Sequence, residues 1–234
     1  MNIKKNNSIS SDLFLQNIKS LANYYSATIF NTMDEVRKRK STSREVTEFL
    51  KENQLDNNEE SKEVSALKLV NALEVAHQKF TNVLIPKIEQ YFLLLVDCFP
   101  EDKMITALFN LFVKFQGDFH EHLDVEEKNV FPYIRKIHFV VKNKSKRGAR
   151  LIRDDNYSIA SFAHSHDNTE LYLTEIISLL ENIKSMEKHP ARNILLKHLV
   201  RMDEQIKVHA NIEDSILIEK VLELEIEIDQ IIKK

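Results

Sequence analysis

The stretch HLDVEEKNVFPYI, residues 122–134, decides the fold. Its face of apolar residues opens with His122, continues one helical turn later with Glu126 and only then returns to Val130. Upstream, Leu108, Leu111, Phe115 and Phe119 lie on the same face, so a stripe that reads as buried helix turns into an imidazole and then a carboxylate. Such a pair, held inward, needs positive charge opposite it.

Three further segments carry related stripes. Around 62–98 the inward positions are Val70, Leu73, His77, Phe80, Leu84, Ile88, Tyr91 and Leu95. Around 155–187 they are Ile159, Phe162, His166, Thr169, Leu173, Ile176 and Leu180. His164 lies about 200° round the helix from His166, so one of the two points inward, and the stripe selects His166. The segment around 190–228 gives Leu195, Leu199, Met202, Ile206, His209 and Glu213, repeating the His-x-x-x-Glu pattern.

With the segment around 101–140 these make four long helices, joined at Phe99-Pro100, at the basic stretch KNKSKRGARLIRDD (142–155) and at His189-Pro190. The expected fold is all-α, an antiparallel up-down four-helix bundle over 61–234. Residues 1–60 read as an N-terminal helical extension, set off by the polar run QLDNNEESKE (54–63). The tail VLELEIEIDQII (221–232) alternates like a strand, but it continues a helix and is rich in Leu and Glu, so it is read as helix.

Composition agrees. Two glycines and four prolines in 234 residues leave little chain for tight turns. A formal charge of -3 gives no global reason to expect a nucleic-acid or membrane partner, and no apolar run approaches the roughly 18 residues of a membrane span. Cys98, the single cysteine, has no internal disulfide partner, and MNIKKNNSISSD lacks the apolar core of a secretory signal, so the expected compartment is the cytoplasm. The basic clusters at 37–40 and 142–153 are read as solvated, with no function assigned.

Any one inward histidine alone is most simply a core or surface residue. Here each of four helices supplies one and two add a glutamate, so His77, His122, Glu126, His166, His209 and Glu213 can converge on one layer. Four imidazoles and two carboxylates suit two borderline metal ions, because imidazole fills terminal positions while a carboxylate has two oxygens and can bridge. Iron is preferred. Zinc is the alternative, although a structural zinc site would normally include cysteine, and none of the six is cysteine. The ferritin-like Glu-x-x-His pattern occurs once, as Glu74 and His77; Phe119 and Ile206 stand at the equivalent places before His122 and His209. Glu127 and Asp214, about 100° from the inward glutamates, are expected to face solvent or a neighbouring helix.

These motifs resemble a known family. HLDVEEKNVFPYI is similar to the H-x-x-x-E-E-x-x-L-F-P motif of hemerythrin-like (HHE cation-binding) domains, and HANIEDSIL (209–217) to the H-x-x-x-E-N-N-x-L motif of their last helix. SHDNTELYLTEI (165–176) resembles the E-H-D-x-x-x-x-L segment, and AHQKFTNVLIPKI (76–88) the first helix, where histidine precedes proline by eight or nine residues. That spacing admits His77 or Gln78, and imidazole on the apolar face favours His77. The resemblance covers about 62–225 and is nearest to the di-iron group for repair of iron centres, although residues 1–60 lack that group's paired cysteines. It implies two non-haem iron ions, oxo- or carboxylate-bridged, held by His77, His122, Glu126, His166, His209 and Glu213. It also implies oxygen or nitric oxide as small ligand, damaged iron-containing proteins as partners under stress, and a homodimer as one oligomeric state. Glu170, one turn from His166, is left beside the site or on the surface. The competing classes are a helical interaction protein without functional metal and a di-iron oxidase or peroxidase.

Overall fold

Low glycine and proline content is realised as helix throughout: the computed structural model describes residues 43–53, 64–155, 157–160, 162 and 171–234, and no strand occurs among them. They belong to one compact unit, Lys40–Lys234. The order is α1 (Ser43–Glu52), α2 (Ala66–Lys79), α3 (Ile85–Cys98), α4 (Lys103–Val125), α5 (Phe131–Lys142), α6 (Lys146–Asp154), α7 (Leu171–Glu181), α8 (Pro190–Ile212) and α9 (Ile218–Lys233). The alternating tail is therefore helix, as its Leu and Glu content predicts.

Starts follow local chemistry. Ser65 accepts from Lys68 N–H at 3.3 Å and Asp102 from Met104 N–H at 3.0 Å, each covering a donor the first helical turn leaves open. At the α7–α8 joint, Arg192 reaches back to donate to the Leu180 and Glu181 carbonyls at 3.2 and 2.9 Å, closing the end of α7.

Three π turns join α2 to α3 (Phe80–Leu84), α4 to α5 (Glu126–Val130) and α8 to α9 (Glu213–Leu217), making three continuous rods. In each, the amide after the turn reaches back five residues: Ile85 to Phe80, Phe131 to Glu126, and Ile218 to Glu213. Pro86 and Pro132 follow the first two turns. Proline inside a helix lacks a donor and collides with the carbonyl four back; the wider turn relieves both. The third has no proline, but the Ser215 hydroxyl donates to Asn211 O, as Thr81 does to His77 O at 2.9 Å in the first.

Each π turn shifts the buried register. Buried positions then step by four: Phe80, Leu84, Ile88, Phe92 on the first rod, Glu126, Val130, Ile134 on the second, Glu213, Leu217, Val221, Glu225 on the third. The uniform stripe placed Tyr91 and Leu111 inward; Phe92 and Phe112 are fully buried instead, and Tyr91 is half-buried against the His198 ring at 5.6 Å.

On one side of the π turns α3 packs against α4 and α8, and α7 against α4 and α8; on the other, α5 packs against α2 and α9. Helix α1 lies on α2 and α8 and buries Phe49 and Leu50. The basic stretch 142–155, read as a joint, folds into α6 because Ser145 caps it and Ala149 and Ile152 bury against the α5–α9 side. Gly148 permits the close approach, since a Cβ there would lie 2.7 Å from Val140 Cγ2. No helix among the described residues is long and apolar enough to cross a membrane.

Candidate metal centre

The π turns sit beside a cluster of buried ionisable groups. His77 comes from the last turn of α2, His209 from the last turn of α8, and Glu126 and Glu213 open the second and third π turns. All four are buried, and each presents a ligand atom within 4.8 Å of the others. His77 Nε2 lies 2.9 Å from His209 Nε2 and 3.2 Å from Glu126 Oε2; His209 Nδ1 lies 3.4 Å from Glu213 Oε2. His122, half-buried at the edge, places its Nε2 2.9 Å from Glu126 Oε1. Glu126 thus turns one oxygen to His77 and the other to His122.

Glu127 fixes the orientation of the His77 ring. Its Oε1 lies 2.9 Å from His77 Nδ1, and a carboxylate only accepts, so Nδ1 donates and Nε2 of the neutral ring is left with its lone pair toward the cluster. Sequence reasoning sent Glu127 to solvent or a neighbouring helix; the side chain is 44% exposed and meets α2. Adjacent acidic residues at an inward position are the signal that was available, but they do not say which atom approaches from the next helix.

The walls are apolar and aromatic. The His77 ring stacks on Phe131 at 5.4 Å, Phe80 meets His209 edge-on at 5.7 Å, and Phe119 stacks on His122 at 6.3 Å. Away from water, two carboxylates need cations near them, since the residual cost of an uncompensated buried charge is several kcal/mol even after relaxation.

Buried carboxylates elsewhere are matched by donors. Glu225 accepts from the Tyr133 hydroxyl at 2.6 Å and the Ile159 N–H at 3.0 Å, and its helix is held by Arg153, which donates to Glu225 O and Asp229. Burial, then the hydrogen bond to Glu225, pushes the Tyr133 hydroxyl far above its ordinary pKa, so it stays a donor. Asp203 accepts from Thr174 and Lys207 at 2.9 and 2.6 Å. In the His77 cluster two buried carboxylates converge with the rings of two buried histidines. Ligand atoms about 2.1 Å from one ion lie about 3.0 Å apart at right angles and about 3.4 Å apart at the tetrahedral angle. The separations of 2.9 and 3.2 Å around His77 Nε2 match these edges, so the group could hold a metal ion, whereas Glu213 approaches the His209 ring at Nδ1, the nitrogen turned away from His77.

Of the six residues expected to converge, the structure brings together His77, Glu126, His209 and Glu213, with His122 beside them. His166 lies outside the described residues, as do His164, Thr169, Glu170 and the cluster at 37–40. Glu74 points away from the cluster and pairs with Arg135 at 2.6 Å. Cys98 ends α3 and is exposed. His198 and His189 are half-buried against aromatic rings, Tyr91 and Phe99. Compared with protein-family models, with curated proteins and with solved structures, the chain matches none.

Proposed function

We propose that the chain is a non-haem di-iron protein of the hemerythrin-like kind, its rods and α7 forming an antiparallel four-helix bundle around the site. The observation that carries the reading is Glu126, a fully buried carboxylate whose two oxygens face imidazoles of two different rods at 3.2 and 2.9 Å. That is the disposition of a carboxylate shared by two ions. His77, His209 and Glu213 would serve one ion, and His122 with His166 the other. When bound, two irons would supply reversible one-electron chemistry and an open position for a diatomic ligand. The chain's own groups orient and shield: Glu127 holds the His77 tautomer, and Phe80, Phe119 and Phe131 exclude water. Oxygen or nitric oxide as ligand, and service to damaged iron proteins under stress, follow from this reading.

The test is metal analysis of anaerobically purified protein. Two irons per chain, lost in Glu126→Gln at unchanged helix content, is the expected result. One tightly held ion per chain after reconstitution with ferrous iron would replace it with a single-ion site made of His77, Glu126, His209 and Glu213.

A further inference from the structure

Helices α5, α6 and α9 pack on one another, and their outer sides carry groups that the core does not use. Among the described residues, the large apolar side chains most open to water include Phe139 on α5, 66% exposed, Ile226 on α9, 58%, and Leu151 on α6, 52%. Single exposed apolar side chains are ordinary, but three on touching helices are a concentration. Charge is divided unevenly on the same helices. From Lys142 to Arg153 the chain has six cations and no acid. Arg153 pairs with Asp229 on α9 at 2.6 Å, whereas Lys142, Lys144, Lys146, Arg147 and Arg150 are exposed and form no ion pair among the described residues. Helix α9 presents the converse: Glu223 and Glu227 are exposed and likewise without an ion pair, beside exposed Leu222 and Ile226.

Helical spacing gathers these groups into two strips. Arg147, Arg150 and Leu151 share the side of α6 opposite its buried Ala149 and Ile152. Leu222, Glu223, Ile226 and Glu227 share the side of α9 opposite its buried Val221, Glu225 and Ile228. Each strip sets apolar side chains among charges of a single sign, and the two signs are opposite. An anionic membrane or a nucleic acid brought against α6 would also meet Glu223 and Glu227 on the neighbouring helix, in a chain whose net charge is -3. A second copy turns those glutamates into partners. Because α6 and α9 lie side by side, a two-fold axis beside them sets each α6 on the other copy's α9, so one contact brings the second with it. One nine-residue helix is too small for a stable interface, which takes about 20 residues a side; the doubled contact draws on both helices of both copies. We propose that the outer sides of α6 and α9 form the interface of a two-fold homodimer, with Arg147 and Arg150 against the partner's Glu223 and the partner's Glu227, and Leu151 against the partner's Ile226. The proposal does not depend on the metal.

Sedimentation velocity of the full chain tests it with two doubly charge-reversed variants, Arg147→Glu with Arg150→Glu and Glu223→Lys with Glu227→Lys. All four positions are exposed, so helix content and melting temperature should stay near those of the parent chain. The parent should sediment as a dimer whose dissociation constant rises at least about tenfold in about 1 M salt. Each variant alone sets like charges against like and should be monomeric, whereas an equimolar mixture of the two restores opposite charges at both contacts and should recover the dimer. Ile226→Ser should raise the dissociation constant about tenfold. A parent chain that stays monomeric at about 100 µM, a dimer indifferent to either reversal, or a mixture that stays monomeric would overturn the assignment. Species that grow past the dimer with concentration would overturn the two-fold closure, being the mark of open stacking. Binding of a monomeric parent to phosphatidylserine vesicles or to RNA, abolished by Arg147→Glu with Arg150→Glu, would overturn it in favour of an anionic partner.

Discussion

At the scale of single residues, the cluster divides into groups that can touch an ion and one that acts through another side chain. Glu127→Ala removes the oxygen that accepts from His77 Nδ1 while leaving every candidate ligand in place. Affinity for cobalt, followed by its visible absorption in a titration, should fall about tenfold to a hundredfold, whereas Glu126→Gln should abolish saturable binding. An unchanged affinity in Glu127→Ala would show that packing on Phe131 alone orients the ring. Tyr133→Phe probes the other buried carboxylate: it takes away the 2.6 Å donor to Glu225 and should cost about 1–3 kcal/mol in urea unfolding, with metal binding intact. Glu126 was legible in the sequence because a carboxylate stood within an apolar stripe. Glu127 and Glu225 were not. A helical wheel sorts residues by the face of their own helix, so it misses a contact arriving from α2, and it misplaces a position lying beyond a π turn.

Between elements, α3 and α8 meet where Tyr91 stacks on His198. Burial, then Lys87, Arg201 and Lys197, lowers the His198 pKa below its ordinary value of 6.5. The unfolded chain therefore takes up this proton first, so its contribution to stability is present above about pH 6.5 and is lost as pH falls toward the lowered folded value. His198→Gln should flatten that part of the decline in urea midpoints measured between about pH 7.5 and 5.5; an unaltered slope would assign the acid sensitivity to other groups. The helices themselves were legible from apolar spacing, and the joints at Phe99-Pro100 and His189-Pro190 from their prolines. Helix α6 was not, because five of its nine residues are basic or acidic and only Ala149 and Ile152 bury. Two buried positions make too short a stripe to recognise.

Across the whole molecule, α1 belongs to the same compact unit as the rods, so removing residues 1–55 should do more than trim an appendage. Loss of buried Phe49 and Leu50 should lower stability on the order of 2–4 kcal/mol after the entropy of ordering α1 is subtracted, while cobalt binding survives because all the candidate ligands lie beyond it. Loss of binding in the folded truncated chain would make α1 part of the site's support. The three π turns bear on something else, the lengths this chain can tolerate. Counted along the sequence, each turn is one surplus residue, and it offsets the facing of everything after it by about 100°. Deleting exposed Asn129 would wind the second rod back to even pitch and turn Ile134 and Ile137 out of the core, so melting temperature and metal occupancy should fall together. One alanine added at the joint between α3 and α4 moves neither rod's phase and should leave both nearly unchanged. Homologous chains that keep this site should accordingly vary in length at their joints and hold the residue count constant within each rod.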